Sequence, residues 1–355
     1  MSSLAPSADS DPVVAAAAAA DALLDGPVLS FDAARTGGNN RVYRAETADG
    51  VYAVKFYPSQ PAPAHDRLNA EFSACEFLAG QNEPAAPKPI VRESAAGIGI
   101  YEWIDGDALV APGGAEIDAA LGFAGRLRQY SRSTSALPLG PAAEACLSGH
   151  ELAAQVRRRI DRLLDVGAAN AELVDFLHGR VAPFFVDAEV RARQGYAEAR
   201  LSFDDNIPAA ARTLSQSDFG FHNALMRQDR TVVFIDFEYF GWDDPVRLVA
   251  DFMLHPGMSL SANNRQQFNK GAHDLFGNSI DGDSDFPLRL DLLYPLVGAR
   301  WSTIILNEFL PERWARRAFA NPGLDQKTAQ HRQLEKARQM IARAEASLEG
   351  FTDGK

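Results

Sequence analysis

The run Ser215-Gln216-Ser217-Asp218-Phe219-Gly220-Phe221-His222-Asn223 leads into Ala224-Leu225-Met226, a polar turn over 227–230, and Thr231-Val232-Val233-Phe234-Ile235-Asp236. Two short apolar pieces on either side of turn-forming residues predict a β-hairpin. Pairing them brings Asn223 close to Asp236 at the open end, with Asp218 on the loop that enters the hairpin. Two carboxylates and one amide then converge from a short length of chain.

Such a set of hard oxygen donors suits Mg²⁺, which takes few protein oxygens and completes its octahedron with water and nucleotide phosphates. In phosphoryl transfer one Asp and an Asn hold metal, while a second Asp orients the attacking hydroxyl and accepts its proton. The spacing Asp-x-x-x-x-Asn, followed by an Asp after an apolar strand, has that form. The plain alternative is an Asx-rich turn beside an ordinary hairpin, since both residues favour turns for local hydrogen bonding.

Upstream, residues 28–57 read as short strands broken by Pro27, by Gly37-Gly38-Asn39-Asn40 and by the hairpin signal Asp49-Gly50. In Val51-Tyr52-Ala53-Val54-Lys55-Phe56-Tyr57 strict alternation puts Lys55 on one face with Val51, Ala53 and Tyr57. A lysine inside an apolar strand needs a partner. A helix predicted over 66–79 offers Glu71, with Glu76 as the alternative. Gly37 and Gly38 fit either a turn that lays backbone N–H groups over phosphates or a simple hairpin turn. Beyond a proline-rich connector over 58–63 and a second over 84–89, strands end in Ile98-Gly99-Ile100-Tyr101-Glu102-Trp103-Ile104, and Asp105-Gly106 breaks the pattern. The remainder reads mainly as helix, including 116–133, 150–166, 171–176, 183–200 and a charged helix over 325–348.

Asp218 to Asn223, taken with Ile235-Asp236-Phe237-Glu238, resembles the catalytic and metal-binding loops of the aminoglycoside phosphotransferase and choline kinase family. Gly241-Trp242-Asp243-Asp244-Pro245 resembles the Asp-Pro continuation of that family, and Arg67-Leu68-Asn69-Ala70-Glu71 its N-lobe helix. The resemblance covers most of the chain. It implies an α+β, bilobal protein-kinase-like fold: a small antiparallel β-sheet lobe with one helix, then a larger, mainly helical lobe. The implied division is a tail and short helix over 1–25, a nucleotide-binding lobe over 26–104 with a hinge at about 101–106, and a catalytic lobe over 107–355.

Residue by residue, the resemblance implies ATP and Mg²⁺ as cofactors, Asp218 as catalytic base, Asp236 as principal metal ligand and Asn223 as the second. Lys55 with Glu71 would hold the nucleotide phosphates, and the main chain at Glu102 and Ile104 would meet adenine. One residue departs from the pattern: the family usually has His two positions before the catalytic Asp, where this chain has Gln216. That substitution is the best support for the alternative of a non-catalytic kinase-like protein that binds a nucleotide or a partner. The Asp-Phe-Glu-Tyr run at 236–239 is closer to choline and ethanolamine kinases than to the aminoglycoside and sugar branches. A hydroxyl-bearing amino alcohol is therefore the first expectation for the substrate. Asp243, Trp301 and Glu308 would line an acidic, aromatic pocket for its cationic group.

Bulk properties agree with these expectations. A chain of 355 residues exceeds what one core usually supports, which predicts two domains or lobes. With 46% apolar and 23% charged residues it has an ordinary globular composition. A net charge of −12 without a basic run argues against a nucleic-acid partner. Cys75 and Cys146 are too far apart for a zinc or dithiol motif, which suits a reducing cytoplasm. The alanine-rich stretch over 13–20 is too short to cross a bilayer and lacks a preceding basic segment, so neither a membrane span nor a signal peptide is expected. Ser217, Asp218 and His222 are too crowded for a hydrolase triad, whose members normally meet from separate segments.

Overall fold

The computed structural model describes residues 12–24, 26–36, 41–57, 66–277, 283–320 and 323–350. Along the chain, helix α1 (Pro12–Leu23) precedes strands β1 (Ser30–Thr36), β2 (Arg41–Glu46) and β3 (Val51–Phe56), then helix α2 (Arg67–Gly80). Strands β4 (Pro89–Glu93), β5 (Ile98–Glu102) and β6 (Asp107–Ala108) follow. Next come α3 (Gly114–Tyr130), α4 (Gly149–Gly167), α5 (Ala171–Phe176) and α6 (Ala182–Glu198). Short strands β7 (Thr213–Ser215), β8 (Ala224–Met226), β9 (Val232–Phe234) and β10 (Gly241–Asp243) carry the chemistry-bearing segment. Helices α7 (Pro245–Leu254), α8 (Ala262–Phe276), α9 (Phe286–Ile305), α10 (Pro311–Ala320) and α11 (Gln326–Gly350) complete the chain.

The chain forms two compact units. The first takes residues up to Leu109 together with Arg132–Ala143 and Phe221–Gly241; the second takes Val110–Ser131, Glu144–Gly220 and Trp242 onward. The expected turn at 37–40, with Gly37 and Gly38, and the connector over 58–63 lie outside the described residues, as does most of the expected N-terminal tail.

The first unit is built on a five-stranded antiparallel sheet ordered β1-β2-β3-β5-β4. Strands β2 and β3 turn at Asp49-Gly50, where Thr47 N–H donates to Gly50 O at 2.9 Å and Asp49 N–H to Thr47 Oγ1 at 3.2 Å. Alternation along β3 divides its side chains as the sequence predicts. Val54 is buried with Tyr43, Ala45, Ile98 and Ile100 against α1, whose Ala16, Ala19 and Ala20 form the same core. Small side chains let that helix lie close on the sheet, so the alanine run contributes to the core. Helix α2 starts at Asp66, whose carboxylate caps Asn69 N–H at 3.0 Å, and buries Leu68, Phe72, Cys75 and Leu78 at helical spacing.

The predicted hairpin forms with Ala224 opposite Phe234 and Met226 opposite Val232, and β6 pairs on its outer side to make a three-stranded sheet. Gly106 allows this: a Cβ there would meet the Met226 carbonyl oxygen at 2.8 Å. Phe234 N–H donates to Ala85 O at 2.9 Å, which ties the hairpin to the loop before β4.

The second unit is helical, apart from the short β7 strand paired with β10. Its axis is α9, buried almost all round and packed by α4, α6, α7 and α11. Gly298 permits the close approach of α11, since a Cβ there would stand 2.5 Å from that of Ala344. Helices α5 and α6 are joined by a π-helical stretch, Leu177–Val181, which the apolar spacing does not reveal. Helix α7 opens with Asp244 capping Val246 N–H at 2.9 Å and with Pro245 at its first position, so the Asp-Pro pair is a helix start. Among the described residues no helix is long and apolar enough to cross a membrane.

Candidate active site

In the first unit a buried charge cluster forms around Lys55. This lysine, 8% exposed, places its Nζ 2.6 Å from Glu71 Oε2 and also bonds Asp236 Oδ1. Glu71, 3% exposed, accepts in addition from the Tyr57 hydroxyl at 2.5 Å, and Tyr57 and Tyr101 hydroxyls meet at 2.9 Å. Glu76, the alternative partner, instead lies on the surface 3.8 Å from Arg92. Burial pushes the Lys55 ammonium toward losing its proton, but the Asp236 and Glu71 carboxylates outweigh it and raise the pKa well above the ordinary lysine value. Burial, reinforced by Glu71, likewise raises the Tyr57 phenol and keeps it a donor.

Asp236 reaches this cluster by leaving the strand conformation. Its φ is +69°, a left-handed backbone that costs a non-glycine residue roughly 1–2 kcal/mol but that Asp tolerates better than most. Ile235 N–H donates to Asn223 O at 2.9 Å, extending the β8–β9 ladder one step and bringing Asn223 beside the strand that delivers Asp236. Glu71, Asp236 and Glu238 carboxylates lie within 4.8 Å of one another. Of these, Asp236 is one-third exposed and Glu238 is buried beside Arg67 at 4.0 Å.

Glu102 ends β5 opposite Tyr52, its N–H donating to Lys88 O at 2.8 Å and its carboxylate taking Lys88 N–H at 3.2 Å and Arg227 at 3.4 Å. Past it, Trp103 N–H still reaches Val51 O at 3.3 Å, and Ile104 is buried.

Asp218 lies in the second unit, on the loop after β7. Ser217 before it is left-handed (φ +68°), with its N–H held by Ser215 Oγ at 3.0 Å, and Gln216 is fully buried. Phe219 after it packs between Phe123 and Phe252 with tilted rings, centroids 5.9 and 5.1 Å away. Burying such a ring contributes about 2–3 kcal/mol, enough to pin the loop. The Asp218 carboxylate, one-third exposed, sits 3.2 Å from His255 Nε2 at the end of α7. Sequence reasoning missed His255. Its one visible signal is the His255-Pro256-Gly257 helix stop.

Asp243, Trp301 and Glu308 all belong to the second unit. Asp243, 1% exposed, accepts Cys146 N–H at 3.0 Å and Asp244 N–H at 2.8 Å, and burial raises its pKa to about 7 against the pull of Arg247. Trp301 Nε1 donates to Asp251 at 2.8 Å. Glu308 is tied to Gln333 of α11 and to Arg317, each at 2.9 Å.

A family model described as the phosphotransferase enzyme family matches residues 31–276. No curated protein gives a significant sequence match. Among solved structures, spectinomycin phosphotransferase in complex with ADP and spectinomycin is 13% identical, with TM-score 0.59 over 91% of this chain and 96% of the other. The choline kinase of Streptococcus pneumoniae is 17% identical, with TM-score 0.55 over 92% and 97%. The ethanolamine kinase of Plasmodium vivax is 12% identical, with TM-score 0.55 over 94% and 96%. At these identities the likeness establishes the kinase-like fold. With the family model spanning more than half its length, the chain belongs to the phosphotransferase enzyme family.

Proposed function

We propose that this phosphotransferase moves the γ-phosphoryl group of ATP to the hydroxyl of a small molecule, an amino alcohol such as choline or ethanolamine first and an aminoglycoside- or sugar-like metabolite next. The observation that carries this reading is the Lys55 ammonium on the third strand, buried, charged and held by Glu71 and Asp236. A buried lysine with this strand-and-helix support is what anchors nucleotide phosphates in kinases. The ADP complex of the spectinomycin enzyme and the choline and ethanolamine neighbours support the nucleotide and the acceptor class.

In this reading Lys55 neutralises phosphate charge, Glu71 and Tyr57 fix its position, and Glu102 with Ile104 offers the main chain to adenine. Gly37 and Gly38 belong to the phosphate turn by sequence alone. Asp236 and Asn223 are hard oxygen donors on neighbouring ends of one hairpin, a donor set that fits Mg²⁺ and would hold it. When bound, the ion supplies neutralisation of the nucleotide's phosphate oxygens. Asp218 orients the acceptor hydroxyl and takes its proton, so transfer is direct and in line, without a covalent enzyme intermediate. Asp243, Trp301 and Glu308, all buried, would line an acidic, aromatic pocket for the acceptor's cationic group.

The buried Gln216 favours a second reading, a kinase-like protein that binds nucleotide without turning it over. Screening hydroxyl acceptors for ATP-dependent product by phosphorus NMR, with wild type and Asp218→Asn, separates the two. Transfer by wild type that falls roughly 10²–10⁴-fold in Asp218→Asn, with nucleotide binding kept, supports the enzyme. Nucleotide binding without transfer to any acceptor favours the second reading.

A further inference from the structure

Asp218 has a support that its own loop does not provide. His255 is the C-cap of α7: its N–H closes the last helical turn on Asp251 O at 2.8 Å, and its ψ of 125° turns the chain out of the helix. Pro256 enforces that turn, because a residue before proline is kept out of the α conformation. The imidazole Nδ1 accepts Gly257 N–H at 3.0 Å. A ring nitrogen that accepts an N–H carries no proton, so in the neutral ring the proton is on Nε2. That Nε2 faces Asp218 Oδ1 at 3.2 Å. The ring plane is set by Trp301, edge to face at 4.6 Å and 85°. Trp301 in turn donates to Asp251, whose other oxygen takes Arg247 Nε at 3.1 Å and Nη2 at 2.9 Å.

We propose that His255 is a positioning residue for Asp218: a neutral Nε2–H donor that fixes the plane of the carboxylate. The inference rests on the reading of Asp218 as the base. Arg247, Asp251 and Trp301 form the frame that holds the donor, and His255 touches no reacting atom. A loosened carboxylate still ionises and still binds, but spends less time aimed at the acceptor hydroxyl, so the effect falls on kcat rather than on affinity.

The test compares His255→Leu and His255→Gln in the full chain, with Asp218→Asn run alongside. His255→Leu is expected to lower kcat on the order of 10²-fold, with KM for ATP and acceptor within about twofold of wild type. Gln places an amide N–H where Nε2 stands, and is expected to restore kcat to within about tenfold of wild type. Equal urea midpoints for the Leu and Gln variants rule out a folding effect. Wild-type turnover in His255→Leu, or a Gln variant no better than Leu, overturns the proposal while a dead Asp218→Asn leaves the base assignment standing. Turnover in Asp218→Asn overturns both. Independently of activity, nitrogen NMR of the histidine rings should find His255 neutral and protonated on Nε2; a ring protonated on Nδ1 contradicts the inference.

Discussion

Lys55 in the first unit and Asp218 in the second are both held by side chains distant in sequence, but by different physics. Lys55 is a buried charge whose neighbours, Glu71 and Asp236, are charges of opposite sign, with Tyr57 donating to Glu71. Asp218 is a part-exposed charge oriented by a histidine and braced by aromatic rings, with the formal ion pair Arg247–Asp251 set behind them. The first arrangement places the desolvation cost on the functional charge itself and needs every partner in place; in the second that cost falls on the buried Arg247–Asp251 pair behind the histidine, while Asp218 stays part-exposed. A phosphate-anchoring cation must remain charged in a dry place, whereas a base must remain reachable.

The contrast is sharpest in stability. Lys55→Met leaves Glu71 buried with its main counter-charge removed and is expected to lower the unfolding free energy by about 3–5 kcal/mol, measured by urea denaturation. Lys55→Met with Glu71→Leu removes the whole pair and should recover most of that loss. A single variant as stable as wild type would show that the two regions do not differ in this way.

A smaller effect comes from Asp243, a buried carboxylate in the second unit. Burial raises it from an ordinary 3.8 to about 7, so the folded state keeps a proton that the unfolded chain releases near pH 4. Its contribution to stability therefore declines as pH rises from about 4 to about 7 and is constant beyond. Both backbone donors use Oδ1, which an asparagine retains. Asp243→Asn should flatten that part of the stability-versus-pH curve, read by thermal unfolding across the range. An unchanged slope would mean that the carboxylate ionises normally in the folded chain.

The same contrast explains what could be read from the residues alone. Lys55 was legible because strand alternation is local and a lysine among Val51, Ala53 and Tyr57 asks for a partner within one helix of chain. The hairpin 224–234 was legible for the same reason, and so was helix α2. His255, Trp301 and Asp251 were not, because their meeting depends on how α7 lies on α9, a matter of tertiary packing that no periodicity encodes. The core role of the alanine helix α1 was not legible because small residues carry little hydrophobic signal, although they allow its close approach to the sheet. The left-handed Asp236 also escaped notice, since nothing in Ile235-Asp236-Phe237 announces a positive φ.

The central claim is a metal-dependent nucleotide site built on Lys55, Asn223 and Asp236. Calorimetric titration of ATP with and without Mg²⁺, on wild type and on Asp236→Ala, tests it most directly. The account predicts binding by the wild type that strengthens with Mg²⁺ and loses that metal dependence in Asp236→Ala. Equal, metal-independent binding by both proteins, or none by either, would contradict it.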